Sequence, residues 1–422
     1  MDNKYISYYK SISLIMMALW VPCWLYDDLM IWIGLGSNIG RFLGIFNIIA
    51  ITFLFNFQIR ISNTQKILIL LYSILIVYLV ILLYKYWGTE YSTLGEVSRV
   101  VLGILFLLVL NNSKFNFKRL VKFFINIGFV FALLSLIAFL DRFLEINLIP
   151  YSSSNHPPAV TSITGYTSSV YIIGNIMRVQ SFWSEPARFA QFLIFPLMLV
   201  YTRYLLHKRK KDILIVSVII VSLFLTYSIA VISSLLIILM YYFIIRKSKS
   251  TSFGGTFFKR SIFLLIGLGL AISIYNFYQF TDNASSIDSF YGKKTSEAVI
   301  DRFDRFSYAN SVTSETIFGD RSVAKLFNKN PSVYGNALIY GGIPYIIICL
   351  IFTIIFYFSI IKKIRNSKYK FIYLGSLAYY IAFSWYGMFT ENFYLFQIAL
   401  LTTIINYENQ NKEIFLLIKR NH

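Results

Sequence analysis

The sequence predicts an all-α polytopic integral membrane protein with about twelve transmembrane helices, on three observations. Of its 422 residues, 57% are hydrophobic and only 14% are charged, more apolar surface than a soluble chain of this size would expose. Apolar runs of roughly 20 residues, the length needed to cross a core of about 30 Å, recur from end to end. Basic residues are unevenly shared between alternate connections, as they are when one side of a bilayer is favoured.

In chain order the expected spans are 8–26, 38–57, 66–86, 95–110, 119–140, 187–206, 212–227, 229–245, 261–278, 336–361, 371–386 and 391–406. The first apolar run, Ile12–Leu25, meets Tyr26-Asp27-Asp28 rather than a small-residue cleavage site, so it reads as a span and not a cleaved leader. The stretch 212–245 is too long for one span, and Thr226-Tyr227-Ser228 in its middle suits a tight turn, so two short spans are expected. Charge supports that division. The N-terminus, 58–66, 111–122, 203–212, 246–260, 362–370 and the C-terminus then share one side and hold 26 of the 39 Lys and Arg residues. By the positive-inside rule both termini are expected in the cytoplasm. The whole of 1–422 reads as a single membrane domain.

The net charge of +20 would suggest nucleic acid in a soluble protein. Here the excess is split among short segments on one side of a membrane, so no nucleic-acid partner is expected. Cys23 and Cys349 lie within apolar runs, and the only histidines are His156, His207 and His422. Neither a disulfide framework nor a metal centre is expected. A phosphate-cradling Gly-rich loop with its Lys is also missing, so no cofactor is expected.

Two outer connections are long, 141–186 and 279–335, and loops beyond about 15 residues are usually functional or disordered. In the second, Val299, Ile300, Phe303 and Phe306 share a helical face, predicting a short amphipathic helix at the membrane surface. The first ends in "RVQSFWSEPARFAQF", which places Arg178, Glu185 and Arg188 at the lip of a span. Pro186 suits the first helical turn, with Ser184 or Glu185 as cap, and the helix dipole favours an ionised Glu185. Arg178 and Arg188 are candidate anion ligands, because guanidinium groups grip phosphate in bidentate fashion. Arg302, Arg305 and Arg321 add cations in the second loop, and Arg321 precedes "NKNPSVYGNALIYGG". There Gly335, Gly341 and Gly342 permit close backbone approach, while Asn336 can hydrogen-bond a sugar or hold the loop. Trp183 offers a ring for stacking on a sugar.

"RVQSFWSEPARFAQFLIF" resembles the Arg-x-x-(Gly/Ser)-x-x-x-Glu-Pro-x-x-x-(Ala/Gly) signature of bacterial O-antigen and exopolysaccharide repeat-unit polymerases (Wzy type) and their O-antigen ligase relatives. "LTYSIAVISSL" at 225–235 resembles the paired short helices of those families, and "PSVYGNALIYGGIPYIIICLIF" at 331–352 resembles the end of their late periplasmic loop. The resemblance implies a GT-C-like fold with two long periplasmic loops in the bacterial inner membrane. It implies transfer of a glycan from undecaprenyl diphosphate to a second lipid-linked repeat unit, without nucleotide or metal. Glu185, Arg178 and Arg321 are then the catalytic candidates. Arg188, Arg302, Arg305, Asn336 and Trp183 are the substrate-binding candidates, and a chain-length regulator protein is an implied partner. Many relatives carry His-Asn where this chain has Gly335-Asn336, which favours a polymerase over a ligase acting on lipid A core. Ser228-Ile229 stands where Ser-Arg is common. The base candidates are Glu185 and, after it, His156. A lipid-linked oligosaccharide flippase would instead carry charges within its spans and short loops on both sides.

Overall fold

The computed structural model describes residues 61–85, 93–111, 117–146, 169–173, 176–181, 186–226, 317–320, 333–383 and 392–415. Among them are eight helices and one hairpin: α1 (Asn63–Lys85), α2 (Thr93–Leu110), α3 (Phe117–Phe143), β1 (Ser169–Ile173), β2 (Ile176–Ser181), α4 (Pro186–His207), α5 (Lys210–Leu225), α6 (Val333–Asn366), α7 (Lys370–Phe383) and α8 (Asn392–Asn409). The chain is an α-helical, multi-pass membrane protein. Four stretches, Asn63–Lys85, Phe117–Asp141, Phe189–His207 and Gly335–Ile364, are long and apolar enough to cross a bilayer. Each falls where a span is expected from sequence. The expected spans 8–26, 38–57, 229–245 and 261–278 and the amphipathic helix around 299–306 lie outside the described residues.

The exposed sides of these helices are greasy, as lipid-facing surfaces must be. Leu70, Val77 and Ile81 on α1, Leu133 and Ile137 on α3, and Ile347, Ile354 and Phe358 on α6 all face outward. By contrast α4 is central: every residue from Phe189 to Val200 is buried. It packs against α3, α5 and α7. Phe124 on α3 stacks with Phe396 on α8 at 5.7 Å and meets Phe192 and Phe195 of α4 at 5.6 and 5.7 Å. Close approach depends on small residues, as it commonly does between helices in lipid. A Cβ at Gly128 of α3 would lie 2.5 Å from the Pro196 ring inside α4.

Helix partners fix which end of the bundle each turn occupies. Tyr72 of α1 meets Phe352 of α6, and Tyr78 meets Tyr345, so α1 and α6 are antiparallel. The start of α1, Asn111, Phe117, His207, the 367–369 turn and residues 406–415 therefore gather at one end. Phe117 packs on Tyr407 at 4.9 Å, and Asn111 bridges Thr403 and Asn406 at 3.0 and 3.1 Å. The ring of Phe415 lies 6.1 Å from both His207 and Tyr369. These are connections that charge counting assigns to a single side.

This end is held by ion pairs. Arg203 near the end of α4 makes a bidentate bridge to Asp212 at the start of α5, at 3.1 and 2.6 Å, and both residues are buried. Glu408 accepts from Ser367 and from the Tyr373 hydroxyl, and Lys363 sits 3.5 Å away. Lys368 donates to Glu413 at 2.8 Å, and that hydrogen bond raises the lysine's pKa above its ordinary value. Its contribution is therefore complete below that value and is lost only as alkali removes the Lys368 proton.

Candidate functional site

The opposite end holds three of the positions singled out for chemistry, Arg178, Arg188 and Asn336. The first long loop contributes β1 and β2, an antiparallel pair in which Tyr171 lies opposite Arg178. The two residues between the strands are Gly174 and Asn175, a dipeptide favoured in two-residue hairpin loops. That signal, with the alternating apolar residues around it, predicts the hairpin, which the loop assignment for 141–186 did not include. Val179 is fully buried, and β2 packs on α3, α4 and α5. The hairpin thus seats the Arg178 backbone over the bundle's end.

Five residues beyond β2, α4 begins at Pro186, which suits an N1 position because its missing N–H has no helical partner there. Arg188 occupies the first turn of this central helix. Glu185 and Trp183, between β2 and α4, lie outside the described residues, as do Arg302, Arg305 and Arg321. The structure therefore brings the chain at Arg178 and the chain at Arg188 to one end of the molecule.

Asn336 shares that end. It lies near the start of α6 and is only 1% exposed, within a stretch, 335–342, that is buried throughout. Past Gly342 the helix changes character and turns one face to lipid, with Ile343, Ile347 and Ile351 exposed. The change coincides with a kink: Gly342 has φ 69° and ψ −160°, a conformation essentially restricted to glycine. Pro344 follows, without an N–H.

The kink is occupied by the second long loop. The Ile343 N–H donates to the Ile317 carbonyl at 2.9 Å instead of to its own helix. Residues 317–320 lie so close that a Cβ on Gly342 would stand 2.0 Å from that carbonyl oxygen. A Cβ on Gly319, itself at φ 72°, would stand 2.5 Å from the carbonyls of Leu338 and Ile339. Two glycines thus let two backbones touch. Lys85, ending α1, holds its ammonium 5.1 Å over the Phe318 ring. The Tyr78 hydroxyl donates to the Gly341 carbonyl, which ties α1 into the same junction. Tyr78→Phe is expected to cost about 1 kcal/mol, read as a lower Tm in detergent. An unchanged Tm would show that the bond contributes nothing.

The expected close backbone approach is therefore present at Gly342, with the 317–320 segment as its partner, whereas the space beside Gly341 is filled by the Tyr345 side chain of the same helix. Asp320, the residue before Arg321, is the last described residue of that segment. One group escaped sequence reasoning altogether. Glu96, in the first turn of α2, is 1% exposed, with Arg99 one turn further on. Two opposite charges three residues apart at the start of an apolar run were the available signal.

Comparison with the sequence profiles of known protein families finds no match, and comparison with curated proteins finds none either.

Proposed function

We propose that this protein is an O-antigen or related surface-polysaccharide polymerase, joining undecaprenyl-diphosphate-linked repeat units at the outer face of the bacterial inner membrane. In this reading the complete chain has about twelve spans, a GT-C-like architecture and cytoplasmic termini. One observation carries the structural side of the argument. Arg178, Arg188 and Asn336 belong to the bundle end opposite the lysine-rich turns. A periplasmic site and a cytoplasmic basic face require that separation. The order of the three motifs that resemble polymerase segments supplies the reaction.

The chemistry is a displacement at an anomeric carbon. The acceptor hydroxyl oxygen forms the new C–O bond, the bond from that carbon to the diphosphate breaks, and the lipid diphosphate leaves as an anion. Arg178 and Arg321 stabilise the charge that develops on the leaving group, and Arg188, Arg302 and Arg305 hold its phosphates. Glu185 accepts the hydroxyl proton, and Trp183 and Asn336 orient sugars. Ionised arginines at a water-poor membrane surface act more strongly than they would in bulk solvent.

Arg178→Ala and Arg321→Ala are each expected to leave expression intact and to collapse the long glycan ladder to a single repeat unit. Full-length ladders from both variants would end the diphosphate-grip assignment. Deletion of the gene separates the related activities on the same glycan gel. One repeat on core indicates a polymerase, lipid-linked polymer with bare core indicates a ligase, and loss of both indicates a flippase.

A further inference from the structure

The basic end of the bundle does more than record an orientation. Three turns converge there on Phe415: the α4–α5 connection through His207, the α6–α7 connection through Tyr369, and the C-terminal segment itself. Ile414 and Phe415 are buried, and the Ile414 N–H reaches the Tyr369 hydroxyl at 3.4 Å. The tail therefore binds two helix hairpins into one platform.

Lysines crown this platform. Lys208, Lys210 and Lys211 belong to the first turn, Lys370 to the second and Lys412 to the tail, and all five are exposed. The acids nearby are already engaged: Asp212 with Arg203, Glu408 with Lys363 and Glu413 with Lys368. None of the five lysines has an acidic partner among the described residues. Three are steadied over aromatic faces, Lys208 over Tyr204 at 5.4 Å, Lys370 over Phe371 at 5.6 Å and Lys412 over Tyr407 at 5.6 Å. Their positions are thus partly set before any anion arrives.

The level of the lysines identifies what they meet. Ile213 and Leu214, two and three residues after Lys211, are exposed, and Ile361 is exposed close to the second turn. Apolar side chains that face acyl chains give way within a residue or two to ammonium groups. That is the depth of lipid headgroups, not of bulk cytosol. We infer that this three-turn platform is a binding site for anionic phospholipid headgroups, with Lys208, Lys370 and Lys412 contacting the lipid phosphate. The site is independent of the reaction at the other end and of which sugar that reaction uses.

The test uses the purified full-length protein in neutral detergent, titrated with phosphatidylglycerol or with phosphatidylcholine of the same acyl chains. Bound lipid is counted by native mass spectrometry. Phosphatidylglycerol should be retained preferentially, and Lys208→Gln/Lys370→Gln/Lys412→Gln should weaken its retention about tenfold or more. Lys85→Gln, at the opposite end, should leave it unchanged. Equal retention of the two lipids by the unaltered protein would overturn the proposal without reference to any variant. So would undiminished phosphatidylglycerol binding in the triple variant, or displacement of the lipid by millimolar inorganic phosphate, which would mark a site for free anions.

Discussion

Gly342→Ala is expected to unfold the junction between α6 and the 317–320 segment and to cost at least about 3 kcal/mol. Two effects act together. Alanine cannot hold φ 69° with ψ −160° without steric strain, which alone costs about 1–3 kcal/mol. Its Cβ would also stand 2.0 Å from the Ile317 carbonyl and 2.6 Å from the Gly319 nitrogen, backbone atoms that cannot rotate aside. Either the helix straightens or the segment leaves, and in both cases the Ile343 N–H loses its partner. Gly103→Ala is the internal control, because its new Cβ would meet Leu395 and Tyr72 at 3.5 Å, an ordinary contact. Thermal melts and recovery of monodisperse protein should separate the two variants clearly. If Gly342→Ala matches Gly103→Ala, the backbone contact at the kink does not exist as described.

The second large effect is expected at the Arg203–Asp212 bridge. Asp212→Leu leaves a buried guanidinium without its carboxylate partner, and breaking a buried pair in this way costs about 3–5 kcal/mol. Arg203→Met strands the carboxylate by the same logic. The double variant Arg203→Met/Asp212→Leu should recover much of the loss, since neither charge then remains unpaired. A double-mutant cycle on Tm measures the coupling. Additive single effects would mean that the two side chains do not interact.

The helices were legible because lipid imposes a simple rule. A segment that crosses hydrocarbon must be about 20 residues long and must satisfy its backbone internally, so length and hydropathy suffice. The expected span 66–86 became Asn63–Lys85, and the expected 187–206 became Pro186–His207. The division of 212–245 is consistent with a helix that stops at Leu225. Tertiary contacts were less accessible. Gly342 announced a close approach, yet only the fold identifies Ile317 and Gly319 as what approaches. Asn336 was visible as a polar residue near a span, whereas its burial depends on neighbours distant in sequence. Glu96 is inconspicuous in the sequence because a charge at a span's edge usually lies in water, whereas here it is buried. The hairpin was readable from Gly174-Asn175, but it sits in a polar loop where two short strands are easily lost.

The burial of α4 bears on how the protein is assembled. Of the four stretches able to cross a bilayer it is the least apolar, and 78% of it is enclosed by protein, against 28–44% for the other three. A segment with Gln191, Pro196, Thr202 and Arg203 along its length partitions into lipid less readily than the other three. Its insertion therefore depends on α3, already made, and on α7, made some 160 residues later. The helix that begins at the proposed site is thus expected to settle late during biogenesis. A ribosome-bound chain truncated before α7 should leave it accessible to water-borne thiol reagents at engineered cysteines, and the complete chain should not.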